Sequence, residues 1–120
     1  MDLIRNTLVR DKVPELVSQH NIKPITTRVV GEELLYAMQK NLVAGAQTLC
    51  SIESRIETVN QLTDLQELMN AMRQHLNISD EEFFKVMTSR RQQLGGYAQG
   101  YFVFSESNRP LIDIATSLSK

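Results

Sequence analysis

The residues best suited to chemistry lie in two places. The first is the run LVRDKVPE, residues 8–15, in which Arg10 and Lys12 flank Asp11. Two cations so close together make a grip for phosphate oxygens, because guanidinium and ammonium groups donate charge-assisted hydrogen bonds. The same charges also suit a helix start, with Asp11 capping and Arg10 or Lys12 pairing with an acid across a bundle. The second place is acidic. Asp64 and Glu67 are three residues apart, and Gln61 and Glu57 continue the same helical strip. That strip is either a solvated face or a source of oxygens for Mg²⁺, which binds carboxylate and phosphate oxygens together.

Other familiar chemistries find no footing. There is no G-x-x-x-x-G-K loop, and Cys50, His20 and His75 lack the spacing of metal ligands. His75 suits the negative end of a helix dipole, and Cys50, next to Leu49, is expected to be a buried, inert thiol. With one cysteine no intrachain disulfide can form, which fits a reducing, cytoplasmic setting. Thirteen basic and 14 acidic residues give a net charge of −1, so nothing draws the chain to nucleic acid or membrane in general. No apolar run nears membrane-spanning length, and MDLIRNTLVRDK holds no signal-like core. The 120 residues, 42% hydrophobic and 22% charged, suit one globular domain. A domain this small has a modest core, so self-association helps it.

The elements that must position these residues are mostly helices. Val13, Leu16 and Val17, with Pro14 beside them, predict a short helix over 13–20. Pro24, Ile25, Thr26, Thr27, Val29 and Val30 predict an extended segment near 24–30, ended by Gly31. Leu35, Met38, Leu42, Leu49 and Ile52 recur at helical spacing, with Gly45 in the stripe, and predict a helix over 32–51. Ser54 with Glu57, and Ser79 with Glu82, have capping-box spacing and start helices over 55–76 and 80–94. The first carries Leu62, Leu65, Met69, Met72 and Leu76. The second buries Phe83, Val86 and Met87 and stops at Gly95-Gly96. YAQGYFVF is aromatic and extended, and RPLIDIATSLSK forms a short last helix. The expectation is an all-α antiparallel bundle over 1–104 with a tail over 105–120. Leu42, Leu49, Leu65, Met69 and Met72 are its buried side chains.

The chain also resembles a known family. LVRDKVPELV, TTRVV, a helix with KNLV, QLTDLQELMNAM, SDEEFFKVMTSRRQQLGGY and the aromatic tail look like the MazG-like nucleotide pyrophosphohydrolases, especially the group labelled phosphoribosyl-ATP pyrophosphohydrolase-like. The likeness covers residues 6–104, and its most specific part is the L-V-R-D-K-[IV]-P run with its distance from the closing G-G-[FY]. It implies an all-α bundle that forms dimers or higher oligomers. It implies cleavage of a nucleoside triphosphate to monophosphate and pyrophosphate, with Mg²⁺ held by an E-x-x-E pair and an E-x-x-D pair. Arg10 and Lys12 take the phosphate-binding role.

The departure is in the ligands. Gly45, Thr48 and Gln61 stand where three of the four acids belong, and Asp64 alone matches. Glu67 matches a further acid as a secondary ligand. Between Glu33 and Glu53 there is no acidic residue. The resemblance therefore implies a degenerate homologue that binds a nucleotide or phosphate without efficient hydrolysis and assembles as a homodimer or tetramer. Its alternatives are an active enzyme with Mg²⁺ on Asp64, Glu67 and another acid, and a non-enzymatic protein-interaction module. Mg²⁺ is a cofactor only under the active reading.

Overall fold

The computed structural model describes residues 7–104. These residues form four helices and no strand: α1 (Val13–Ser18), α2 (Gly31–Ser51), α3 (Arg55–His75) and α4 (Asp80–Leu94). All four helices fall where side-chain spacing predicts them. The expected last helix lies outside the described residues.

The helix boundaries have local causes. Ser54 Oγ accepts the Glu57 backbone N–H at 3.2 Å, and Ser79 Oγ accepts that of Glu82 at 3.1 Å. Each serine therefore satisfies one of the donors that a helix start leaves open. Asp80, Glu81 and Glu82 crowd the first turn of α4, where the dipole favours negative charge. Arg73 and His75 occupy the last turn of α3, as expected for His75. Gly95 ends α4 with φ 78° and ψ −172°, a conformation open in practice only to glycine. Asp11 is not the cap of α1, contrary to expectation. The N-cap is Lys12, already in helical conformation and without a side-chain cap. The chain turns here on backbone bonds, Val13 N–H to Arg10 O at 2.9 Å and Leu16 N–H to Lys12 O at 3.0 Å.

Residues 22–30 have no regular structure, and Val30 at their end is extended, with φ −139° and ψ 169°. The chain divides into two units, Met1–Asn77 and Ile78–Lys120, with the division inside the expected 1–104 domain. Asn77 closes the first unit with φ 58°, a left-handed residue that asparagine tolerates well.

The first unit is organised by a helical hairpin. Residues 52–54 join α2 to α3, and Gly45 lies against Gln61 and Leu65, so the two helices run antiparallel. The covered positions of α2 include Leu34, Leu35, Met38, Leu42, Gly45 and Leu49; those of α3 include Gln61, Leu65, Leu68 and Met72. Their three-four spacing is the seam of the hairpin.

That seam is thin. Among the described residues only Met38 is buried, at 8% exposure. Leu42, Leu49, Leu65 and Met72 are half-buried rather than buried, and Met69 is exposed. Two helices cover each other along one line, and a closed core needs a further layer. Cys50 is exposed too, because it lies about 100° round α2 from Leu49 and off the seam. In the second unit Phe83 is half-buried, whereas Val86 and Met87 are exposed. The described part of that unit is one helix and a coil, which offers Val86 and Met87 no opposing layer.

Candidate functional site

The motif at 8–12 is fastened to both helices of the hairpin. Asn41 Nδ2, on α2, donates to the Leu8 carbonyl at 2.8 Å in a part-buried setting. Two residues on, Arg10 Nη1 donates to Asp64 Oδ1, on α3, at 3.0 Å. The structure thus pairs Arg10 with an acid across the hairpin, as the helix-start reading of the motif expects, and that acid is Asp64, which the resemblance would make a metal ligand. Asn41 lies in the KNLV run, but its spacing does not mark it as the anchor of residues 8–12.

The Arg10–Asp64 pair is solvated, with the two side chains 64% and 57% exposed. An exposed pair contributes only about 0–1 kcal/mol to stability. It ties the motif to α3 weakly, whereas the Asn41 bond holds the chain to α2. Lys12 is exposed at the N-cap of α1, and Glu67 is exposed on α3.

The three positions where the resemblance sets further carboxylates are used otherwise. Gln61 Nε2 donates to the Gly45 backbone carbonyl across the hairpin at 2.9 Å. A Cβ on Gly45 would stand 2.7 Å from Leu65 Cδ2 and 3.1 Å from Gln61 Nε2. Glycine is therefore what lets α3 approach α2 here, at about 1 kcal/mol of lost helix propensity relative to Ala. Thr48 Oγ1 bonds back to the Ala44 carbonyl one turn earlier, at 3.1 Å. Two of the three positions form a helix–helix contact, and the third satisfies its own helix. Among the described residues no group of three or more His, Cys, Asp or Glu side chains converges on one point. Mg²⁺ wants several oxygens in near-octahedral array, and these residues do not fit such a cage.

No family model matches this chain, and neither a curated protein nor a solved structure does.

Apolar side chains remain outside the seam. On α3 and its C-cap, Val59, Leu62, Met69 and Leu76 form an exposed stripe at three- and seven-residue spacing. On the outer face of α2, Tyr36 and Val43 are exposed, and the Lys40 ammonium lies 5.5 Å from the Tyr36 ring centre. Beyond Gly95-Gly96, Tyr97, Tyr101, Phe102 and Phe104 are almost fully exposed. Among the described residues no helix is long and apolar enough to cross a membrane.

Proposed function

We propose that this chain is a degenerate MazG-like protein that binds the phosphates of a nucleotide without efficient hydrolysis and works as a homo-oligomer. One observation carries the reading. The Gln61–Gly45 bond, with Leu65 beside it, gives two of the three lost ligand positions to helix packing. Carboxylates at those positions would meet a carbonyl and a methyl group instead of a metal. The residues that would touch phosphate are Arg10 and Lys12, both exposed and placed beside the hairpin by the Leu8–Asn41 bond. The oligomer is supported by the seam, since Met38 is the one buried side chain among the described residues and a hairpin covered this thinly gains from a further layer.

The testing experiment is pyrophosphate release from ordinary, deoxy and modified nucleoside triphosphates with Mg²⁺ or Mn²⁺. The expected result is slow turnover or none. Turnover at about 1 s⁻¹ or faster, in the ordinary enzyme range, that disappears in Asp64→Ala would overturn the reading in favour of an active hydrolase with a rearranged metal site.

A second reading, a protein-interaction module, is favoured by the exposure of Tyr101, Phe102, Val103 and Phe104. A contiguous apolar patch of that kind marks an interaction surface. The two readings part on one measurement, because the module binds no nucleotide.

A further inference from the structure

We infer that Asp64 is an internal competitor for the Arg10 guanidinium, so that a phosphate group bound at the 8–12 motif must displace it. The inference rests on the phosphate-binding reading above.

The geometry sets the competition. Arg10 reaches Asp64 Oδ1 through Nη1 at 3.0 Å, with no second nitrogen engaged on that carboxylate. A guanidinium presents a fork of donors, and a phosphate can take two of them at once. A bidentate phosphate therefore has the advantage over a carboxylate held by one bond. Both partners are more than half exposed, 64% and 57%, so an incoming anion can reach the pair and water can solvate Asp64 once it is released.

The arm has a fixed base. The Leu8 carbonyl stays on Asn41 Nδ2 at 2.8 Å in a part-buried contact. Breaking the Arg10–Asp64 bond therefore frees the side chain without freeing the segment that carries it. Lys12, two residues further on and exposed, adds a second cation on the same short stretch. Asp64 acts as a latch: it parks Arg10 on α3 when no phosphate is present and lowers the affinity of the motif by the strength of the parked contact. An exposed pair of this type corresponds to at most about a fivefold change in an equilibrium constant.

The test is calorimetric titration of the full chain, at one low ionic strength, with inorganic tripolyphosphate in one arm and ATP in the other. Asp64→Asn is isosteric and exposed, so the helix keeps its shape. This variant should bind tighter by about two- to fivefold. In an Arg10→Gln background the same substitution should change nothing, which makes the pair a double-mutant cycle. An equal gain in both arms supports the latch with phosphate as the recognised chemistry; a gain with ATP alone supports it with the nucleotide as the source. A gain that persists without Arg10 is a general charge effect and overturns the latch. Binding that is unchanged by Asp64→Asn also overturns it and leaves the phosphate reading standing. No binding of either probe at millimolar concentration, by parent or variant, overturns the phosphate reading and the latch together.

Discussion

Gln61 bridges the hairpin by donating to the backbone carbonyl of Gly45 at 2.9 Å. The bond is possible because Gly45 has no side chain, and Leu65 Cδ2 fills the space that a Cβ would need, 2.7 Å away. An added side chain at 45 therefore meets two opposed effects. Alanine improves helix propensity by about 1 kcal/mol but pushes on Leu65 and on the Gln61 amide. We expect Gly45→Ala to fall within about 1 kcal/mol of the parent, and Gly45→Leu to lose about 1–3 kcal/mol through overpacking. Denaturant unfolding checks both. A Gly45→Leu chain as stable as the parent would mean that the close approach is not needed.

The same contact gives Gln61→Glu a defined pH dependence. An ionised carboxylate removes the N–H donor and sets an acceptor against the Gly45 carbonyl. The expected loss is about 1–3 kcal/mol, the cost of a broken and opposed hydrogen bond. The folded state disfavours the charged form, so the introduced group has a folded pKa above its unfolded value of about 4.3. The penalty is then fully present above the folded pKa and shrinks as pH falls to about 4.3. Thermal melts of parent and variant across acidic pH should converge toward the low end. A pH-independent gap would mean that the carbonyl is not what the new group faces.

The two serine caps give a plainer expectation. Ser54 and Ser79 each accept one backbone N–H, from Glu57 and Glu82. Replacing either by alanine should cost about 1 kcal/mol. Ser54→Gly should cost only a few tenths, since glycine is itself an acceptable cap. Equilibrium unfolding of the three variants is the check, and equal losses for alanine and glycine at 54 would exclude capping as the cause.

Helices were legible where local chemistry fixes them. Ser-x-x-Glu spacing placed two helix starts, and Gly95-Gly96 placed an end. The burial of Leu42, Leu65 and Met69 was not legible in degree, because periodicity reports which face is apolar and not how many layers cover it. Cys50 shows the same limit: its neighbour Leu49 lies on the seam, and one step round the helix leaves the seam altogether. At the candidate site, an ion pair from Arg10 or Lys12 to an acid across the bundle is expected from the charges of the motif, and Arg10 makes it; which acid it meets, Asp64 at 54 positions' distance, leaves no local trace. The Asn41 anchor and the Gln61–Gly45 bond were hidden for the same reason. Each joins residues distant in sequence, and an amide side chain bonding a backbone oxygen has no compositional signature.

Assembly is expected to supply the layer that the hairpin lacks. The stripe Val59, Leu62, Met69 and Leu76 on α3 and its C-cap is apolar, exposed and continuous with the seam. Packing it against the same stripe of a second copy would make a four-helix arrangement with a closed core. Sedimentation at tens of micromolar should therefore report a dimer or tetramer. Leu62→Glu, which puts a charge in the middle of the stripe, should shift the equilibrium toward monomer and lower the unfolding temperature. A parent chain that stays monomeric at high micromolar concentration would exclude this role for the stripe.

Metal affinity is the last expectation, and it tests the three positions where the resemblance sets carboxylates. Metal ions are held by several oxygens acting together, so a lone Asp64 beside an exposed Glu67 should bind Mg²⁺ weakly. Putting glutamate at 45, 48 and 61 restores the acids that the resemblance implies. Each single change should do little for affinity and should disturb packing. Gly45→Glu drives a side chain into Leu65, Gln61→Glu breaks the cross-hairpin bond, and Thr48→Glu adds one isolated charge. The triple variant behaves differently because its like charges repel until a cation gathers them. Its stability should fall without Mg²⁺ and recover with it, since a ligand that binds only the folded state stabilises it by mass action. The parent should show no such dependence. Melting temperatures of the parent, the singles and the triple variant, measured with and without Mg²⁺, decide the point. Recovery confined to the triple variant supports lost ligand positions. An equal Mg²⁺ effect on the parent would show that the native residues already hold the ion. No effect on a folded triple variant would mean that 45, 48, 61 and 64 do not converge on one site, and the degenerate-enzyme reading would lose its basis.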